Sequence, residues 1–361
     1  MPTDLPIQIH VTLGPASSSP HTIEQLIEAG ADVFRLNLSH CSPAELHSLV
    51  RLVHSVAHRL AKPVQIAADI RGRKLRLGPF DDQEVTLVTG QEYILHAAEE
   101  GAELPGNARE AWVNHPRLAA GLQPGAIILL DDGALRLRVK AVGQADVTCR
   151  VEVGGPLPAR SGLNVPGVPC DLPPLGRKDL KDLDAIANLP VDAVYLSHVE
   201  WAEDIRVLRQ ALKERNRPLP IIAKVERRLA IEHLASIIAE ADAICLARGD
   251  LGVEVPLAEI PLIQRRAVAE THAAGKPFIL AGELFYSLVT RQTPARAELT
   301  DLFIALEQGV DGFILSDETA IGVAPANAVR MLRGLIGEMS VYVEDLRLSL
   351  KTPASCRPDR A

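Results

Sequence analysis

No apolar run in this sequence approaches the roughly 18 residues of a membrane-spanning helix, although 47% of its 361 residues are hydrophobic. A basic excess is also missing: 38 Lys and Arg stand against 46 Asp and Glu, a formal net charge of −8. That balance excludes a general nucleic-acid surface, which needs clustered positive charge. The start, Met1-Pro2-Thr3-Asp4-Leu5-Pro6, lacks the basic residues and apolar core of a secretory leader. The five cysteines, Cys41, Cys149, Cys170, Cys245 and Cys356, are odd in number and form no C-x-x-C pair. They predict free thiols in a reducing cytoplasm rather than a disulfide framework. His54 and His58 share one helix face, but no third ligand accompanies them, so they predict a surface pair and not a metal site. No internal repeat or low-complexity tract is present.

What the sequence does have is a regular alternation of short β-forming runs and longer amphipathic segments. Strands are expected at Ile7–Leu13, Val33–Leu38, Val64–Ile70, Ala193–Ser197, Ile221–Val225, Ala243–Ala247, Phe278–Ala281 and Gly312–Ser316. Helical patterns follow them at Ser19–Ala29, Pro43–Leu60, Lys178–Asn188, Ala202–Arg215, Arg228–Ala239, Leu257–Ala274, Arg296–Gln308 and Pro325–Tyr342. Ser19-Pro20 and Ser42-Pro43 each place a cap residue before a proline at the first helical position. The alternation predicts an α/β fold, a closed (β/α)8 TIM barrel. The barrel is expected over residues 1–77 and 164–344.

The rhythm breaks once. Between Ile70 and Lys178 the runs Glu84–Val88, Glu92–His96, Ala126–Leu130, Leu135–Val139 and Asp146–Val151 alternate with period two. Asp131-Asp132-Gly133 and Gly154-Gly155-Pro156 divide them. A small β-barrel lid domain inserted after strand 3, over 78–163, accounts for this texture. Residues 345–361, with Pro353, Ser355 and Pro358, are expected to form a disordered tail.

Charges collect at the C-terminal ends of the strands, where parallel α/β proteins bind ligands. The fifth strand ends Lys224-Val225-Glu226 and the sixth Arg248-Gly249-Asp250; the second carries Arg35, Asn37 and Ser39 on one side; the third ends Asp69-Ile70-Arg71; the eighth ends Ser316-Asp317-Glu318. Glu226 and Asp250 supply hard oxygen ligands of the kind Mg²⁺ prefers. Lys224 and Arg248 add cations beside them, so the composition suits an anionic, phosphorylated substrate. Cys245, inside a buried strand, is expected to pack and not to react.

Several of these segments resemble the signatures of the pyruvate kinase family, in order along the chain. They are Gly14-Pro15-Ala16-Ser17, Arg35-Leu36-Asn37-Leu38-Ser39-His40, Asp131-Asp132-Gly133, Asn164-Val165-Pro166-Gly167, Lys224-Val225-Glu226, Ala247-Arg248-Gly249-Asp250-Leu251-Gly252 and Leu315-Ser316-Asp317-Glu318-Thr319-Ala320. The resemblance implies phosphoryl transfer from phosphoenolpyruvate to ADP, giving pyruvate and ATP. It implies Lys224, Arg35 and Ser316 as catalytic residues and Arg35, Lys224, Gly249, Asp250 and Gly282 as substrate contacts. Glu226 and Asp250 would hold Mg²⁺ or Mn²⁺; Pro15, Asn37, Arg76, Lys178 and the lid residue Asp132 would approach the nucleotide. Asn37, Ser39, Asp69 and Ile70 correspond to the monovalent-cation pocket. There Lys74 replaces a Glu of the K⁺-dependent members, so the chain is expected to work without K⁺, the Lys74 ammonium standing in for the ion. Ile70 and Leu77 match the same K⁺-independent pattern. No nucleic-acid or membrane partner is implied. Typical members continue into a C-terminal domain that carries effector binding; the sequence ends near its expected start, so no control through that domain is expected, and a homodimer would form through barrel faces.

The sequence also departs from the family. Ala281-Gly282-Glu283-Leu284-Phe285 stands in place of Ala-Thr-Gln-Met-Leu. A missing threonine removes one hydrogen bond, an effect of about 2–4 kcal/mol on a transition state, and a large gain in Gly282→Thr would mark this position as the weak point of the site. Glu283, Glu200 (for an Arg) and Asp317 (for a Gly) are expected to make the site more acidic. A cavity at Gly282 would admit a bulkier enol-phosphate, which makes a paralogous phosphotransferase the main alternative; a metal-dependent oxoacid lyase and a weakly catalytic binding protein are the others.

Overall fold

The computed structural model describes residues 7–351. Eight parallel strands close into one barrel: β1 (Gln8–Thr12), β2 (Val33–Asn37), β3 (Gln65–Ile70), β4 (Ala193–Leu196), β5 (Ile221–Val225), β6 (Ala243–Ala247), β7 (Phe278–Ala281) and β8 (Gly312–Leu315). Closure is made by β1 against β8, with His10 opposite Ile314. The expected strands are all present, with ends moved by a residue or two.

Each strand is buried on both faces, as parallel barrels require. The outward face of Ile9, Val11, Phe34, Leu36, Val194, Leu196, Ile244, Leu246, Phe313 and Leu315 packs under the helices. The inward face is narrower and takes mostly small side chains, Ala67, Ala243, Ala247 and Ala281, with Val33, Ile222, Ile279 and Ile314. Tyr195 and His10 fill the remaining space, and the tyrosine hydroxyl lies 2.8 Å from His10 Nδ1. The apolar floor forces any charge on the inward face toward the C-terminal mouth, where Arg35, Asp69 and Lys224 lie.

Burial, reinforced by the Arg35 charge, pushes the His10 imidazole down to about 3. An unfolded histidine titrates near 6.5, so below that pH the unfolded chain binds the extra proton and stability falls with pH. At pH 5 the cost is about 2 kcal/mol. Denaturant titrations at pH 7 and pH 5 should therefore show a loss of that size, and His10→Gln should reduce it; an equal loss in the variant would contradict the assignment.

The lid is a seven-stranded sheet. Its hydrogen-bonded order is Leu75–Arg76, Gly162–Asn164, Ile127–Leu130, Leu135–Val142, Asp146–Val153, Glu92–Ala97 and Glu110–Val113. A separate antiparallel pair joins Glu84–Leu87 to Gly155–Pro158. Tyr93, Leu95, Val113, Ile128, Leu137, Val147 and Val151 give it a core of its own. The sheet begins at Leu75 and ends at Asn164, slightly beyond the expected 78–163, because the strand entering the lid pairs with the strand leaving it.

Two helical expectations are corrected. Arg228–Ala239 is two helices, Arg228–Glu232 and Leu234–Glu240, interrupted at His233. The last helix runs Pro325–Lys351, so the tail expected from residue 345 is helical as far as Lys351. Residues 352–361, with Cys356, lie outside the described residues. Among the described residues no helix is long and apolar enough to cross a membrane, and Cys41, Cys149, Cys170 and Cys245 are free thiols.

Candidate active site

The barrel mouth is organised around Asp69, on the inward face of β3. Its Oδ2 accepts from Arg35 Nε at 2.7 Å and faces Lys224 Nζ at 3.4 Å, while its Oδ1 accepts from Ser197 Oγ at 2.8 Å. Lys224 donates to the same Ser197 hydroxyl at 2.8 Å and stands 2.6 Å from Glu226 Oε1. Arg35 also donates to Thr12 Oγ1 at 2.8 Å. β2, β3, β4, β5 and β1 thus meet in one charged layer directly above the apolar floor.

Burial alone would neutralise these groups. It would lower Lys224, but the Asp69 and Glu226 carboxylates hold the ammonium above the ordinary lysine range. It would raise Asp69, but Lys224 and Arg35 keep that carboxylate below its usual value. The layer is charged because it is paired.

Glu226 is oriented from β4. The His198 amide donates to its Oε2 at 2.7 Å, and His198 takes a left-handed backbone, φ 53°, to do so. The imidazole beside it is held neutral, first by burial and then by the Lys74 charge. Asp250, in the first turn of the short helix Arg248–Glu254, meets Lys74 Nζ at 3.5 Å from its Oδ1. Burial would raise Asp250, but the Lys74 charge, with that of Lys224 behind it, holds the carboxylate below its usual range.

The two carboxylates fit a divalent cation. Glu226 Oε1 is buried with the Lys224 ammonium beside it and no well-formed hydrogen bond, so it retains capacity for a cation, and both donors are hard oxygens. No cluster of three or more His, Cys, Asp or Glu side chains suited to a metal occurs among the described residues. Mg²⁺ is commonly held by one or two carboxylates while substrate phosphates and water complete its shell.

Three clefts open around the layer. One of about 890 Å³ is lined by Pro15, Arg35, Asn37, Cys41, Ser316 and Asp317. A second, of about 620 Å³, is lined by Ser39, Arg71, Arg76, Arg177 and Lys178 at the base of the lid. The third, of about 580 Å³, lies between the lid tip and the β6 and β7 ends and is lined by Asp132, Gly249, Gly282 and Glu283. The anticipated nucleotide residues are therefore divided among adjoining clefts. Pro15 and Asn37 share the first and Arg76 and Lys178 the second, with Lys178 Nζ donating to Leu38 O at 2.5 Å. Asp132 stands in the third. Its charge and that of Asp250 act on Arg76, whose pKa is lowered mainly by burial and by Arg71. The lid tip is close-packed: a Cβ on Gly133, at φ 89°, would lie 2.6 Å from Val253 Cγ1 on the Arg248–Glu254 helix.

Several expectations change. Arg248 lines the third cleft but is already engaged: its guanidinium donates to Gly282 O at 2.9 Å and to Asp301 at 2.7 Å, tying the β6 end to the β7 loop. Glu200 does not acidify the mouth, because it is buried between Arg73 at 3.4 Å and Arg227 at 3.2 Å. Lys74 pairs with Asp250, and among the described residues it forms no ion pair with Asp69, which Arg35 and Lys224 already neutralise. In the same pocket Asn37 Oδ1 accepts from Ser39 N at 3.1 Å, and Ile70 is buried in β3.

Gly282 is the largest correction. It sits at φ 94°, and a Cβ there would lie 2.7 Å from Gly249 N and 2.9 Å from Arg248 N. Although Gly282 lines the third cleft, a side chain there would start against the backbone of Arg248 and Gly249 instead of in open space. Glu283, exposed at φ 53°, continues the same turn. Ser197 and His198 were not anticipated: β4 ends without a charged side chain until Glu200, so a search for charged strand ends passes over it. Two serviceable signals were the hydroxyl of Ser197 at a strand end and its position beside β3 and β5.

A closed (β/α)8 barrel with paired charges at its C-terminal mouth and a β lid beside it is the architecture of a barrel enzyme acting on an anion. A family model described as the pyruvate kinase barrel domain matches residues 6–329, and the chain belongs to the pyruvate kinase family. It is 36% identical over 322 residues to a pyruvate kinase of Methylorubrum extorquens, covering 89% of this chain and 66% of that protein. It is 37% identical to pyruvate kinase 2 of Synechocystis over 90% of this chain and 55% of the relative. To human pyruvate kinase PKLR it is 34% identical, over 97% of this chain and 63% of the relative. The chain thus spans about two thirds or less of the length of these relatives.

Proposed function

We propose that the chain transfers the phosphoryl group of phosphoenolpyruvate to ADP, giving pyruvate and ATP. The P–O bond to the enol oxygen breaks and a P–O bond to the terminal phosphate of ADP forms. The enolate left behind takes a proton at its methylene carbon. The observation that carries this reading is the buried Lys224 ammonium, held charged between Asp69 at 3.4 Å and Glu226 at 2.6 Å and sharing that layer with Arg35. Such a pair neutralises a phosphoryl group in flight, where catalysis is mostly positioning and charge stabilisation.

Gly249 leaves open space where a Cβ would be, so its turn lets a carboxylate approach the backbone closely beside Asp250. Ser316 and Asn37 line the cleft that contains Arg35 and border the path to the nucleotide. Lys178 and Arg76 supply positive charge from the lid base, and Asp132 faces the third cleft from above. Mg²⁺ or Mn²⁺ held by Glu226 and Asp250 would neutralise substrate oxygens when bound. Purified chain should form pyruvate only when phosphoenolpyruvate, ADP and a divalent ion are all present. Pyruvate release from an oxoacid with a divalent ion and no ADP would favour a lyase instead.

The activity is also independent of K⁺. Asp69, which a monovalent cation would otherwise balance, already has two cationic partners, and Lys74 adds a fixed positive charge next to Asp250. Rates in tetramethylammonium buffer should change less than about twofold on adding K⁺, a difference under 0.5 kcal/mol; a large increase would contradict this. The reading assigns the protein to the cytoplasm and leaves a homodimer through barrel faces as its expected assembly.

A further inference from the structure

Behind the mouth lies a second group of charges that the proposed chemistry does not use. Arg227 follows the metal-ligand candidate Glu226 directly and is almost fully buried, its side chain only 4% exposed. Its guanidinium stands 3.2 Å from Glu200 Oε1 and 3.2 Å from Glu254 Oε1, and it donates to Val168 O at 3.0 Å. Both carboxylates are completely buried.

Each partner leads to a different part of the molecule. Glu200 pairs with Arg73, on the chain entering the lid, and accepts from Cys170 N at 3.2 Å, on the chain leaving it. Arg73 is anchored in turn by Asp204 at 2.7 Å. Glu254 accepts from Asn164 Nδ2 at 2.8 Å, again on the departing stem, and it is the last residue of the helix whose first turn carries Asp250. The row Asp204, Arg73, Glu200, Arg227, Glu254, Asn164 therefore alternates in charge and ends on a neutral donor. It joins both lid stems to the two segments that carry Glu226 and Asp250.

We propose that Arg227 is a positioning residue that sets the lid stems and the metal ligands as one unit. A buried guanidinium that lies between two carboxylates and donates to Val168 O spans all three with one planar group, which a compact ammonium cannot reproduce. Groups that orient metal ligands without touching the ion commonly change its affinity 10- to 100-fold when removed. The metal part of this inference rests on the assignment of Glu226 and Asp250 as ligands; the coupling of the lid stems does not.

The test measures Mn²⁺ affinity by electron paramagnetic resonance and hydrogen–deuterium exchange by mass spectrometry, on the full chain. Arg227→Met should bind Mn²⁺ about 10- to 100-fold more weakly. Its exchange should rise at the lid stems, residues 71–77 and 162–172, and at 248–256, with the remaining barrel unchanged. Arg227→Lys, which keeps the charge but loses the fork, should fall between. If Arg227→Met does not fold, Asn164→Ala tests the same junction from the lid side and should weaken Mn²⁺ binding about tenfold. Unaltered affinity with unaltered stem exchange would overturn the proposal, as would uniformly faster exchange throughout the barrel. If the wild-type chain bound no Mn²⁺, the metal assignment would fall and stem exchange alone would decide the coupling.

Discussion

Replacing Lys224 by methionine should lower turnover at least about 10³-fold, the loss associated with removing a group that neutralises charge in a phosphoryl-transfer transition state. The ammonium is the junction of three side chains: Ser197 at 2.8 Å, Glu226 at 2.6 Å and Asp69 at 3.4 Å. Methionine fills much of the same volume and supplies none of the charge. Asp69 keeps Arg35, but Glu226 loses the ammonium 2.6 Å from its Oε1 and keeps only the neutral His198 ring beside it among the described residues, and removing one partner of a buried pair typically costs about 3–5 kcal/mol of stability. Thermal unfolding at neutral pH separates the two effects: the variant should still unfold cooperatively at a lower temperature while its kcat is nearly abolished. Lys224→Arg should regain stability but little activity, because a planar fork cannot occupy the position of a compact ammonium. A Lys224→Met variant within tenfold of wild type would contradict the role given to this residue.

The second large effect is at Gly282. The sequence leaves the sign of Gly282→Thr open, and the backbone at this position supplies it. At φ 94° a β-branched residue is a strong outlier. The new Cβ would meet the backbone nitrogens of Gly249 and Arg248 at 2.7 and 2.9 Å, and backbone cannot rotate away as a flexible side chain can. Strain of this kind costs about 1–3 kcal/mol and overpacking a similar amount. The displaced turn is the one that carries Asp250. Gly282→Thr should therefore lower kcat/KM by about 10²-fold or more, a transition-state loss of about 2.7 kcal/mol, and lower the unfolding temperature as well. Gly282→Ala should fall between it and the wild type. A threonine variant faster than wild type would show that the turn can adopt another conformation.

The contrast between these two positions indicates what a sequence can reveal of such a site. Lys224 and Glu226 were legible because a five-residue run, all of it buried, carries an ionisable group where packing gives no reason for one. The barrel was legible for a related reason: its strands are short apolar runs separated by helical periodicity. The break at His233 was not, because Leu229, Ala230, Ile231, Leu234, Ile237 and Ile238 are all buried and continue the apolar pattern across it.

Charges whose partners are distant in sequence were the least legible. Arg248 and Glu200 stand at strand ends and read as parts of the mouth. Asp301 claims the first, and Arg73 and Arg227 claim the second, turning both away from the anion. Gly282 was illegible for a similar reason: the Arg248 guanidinium on its carbonyl and the close approach of Gly249 are contacts that a residue-by-residue comparison does not contain.

The most direct measurement follows the phosphorus itself. Purified chain is incubated with phosphoenolpyruvate, ADP and Mg²⁺, and the mixture is followed by ³¹P nuclear magnetic resonance beside a Lys224→Met control. The account predicts that the phosphoenolpyruvate signal decays as the γ-phosphate signal of ATP grows in equal amount, with pyruvate formed in the same ratio and no transfer in the control. Loss of phosphoenolpyruvate to free phosphate without ATP, or no reaction at high enzyme concentration with either Mg²⁺ or Mn²⁺, would contradict it.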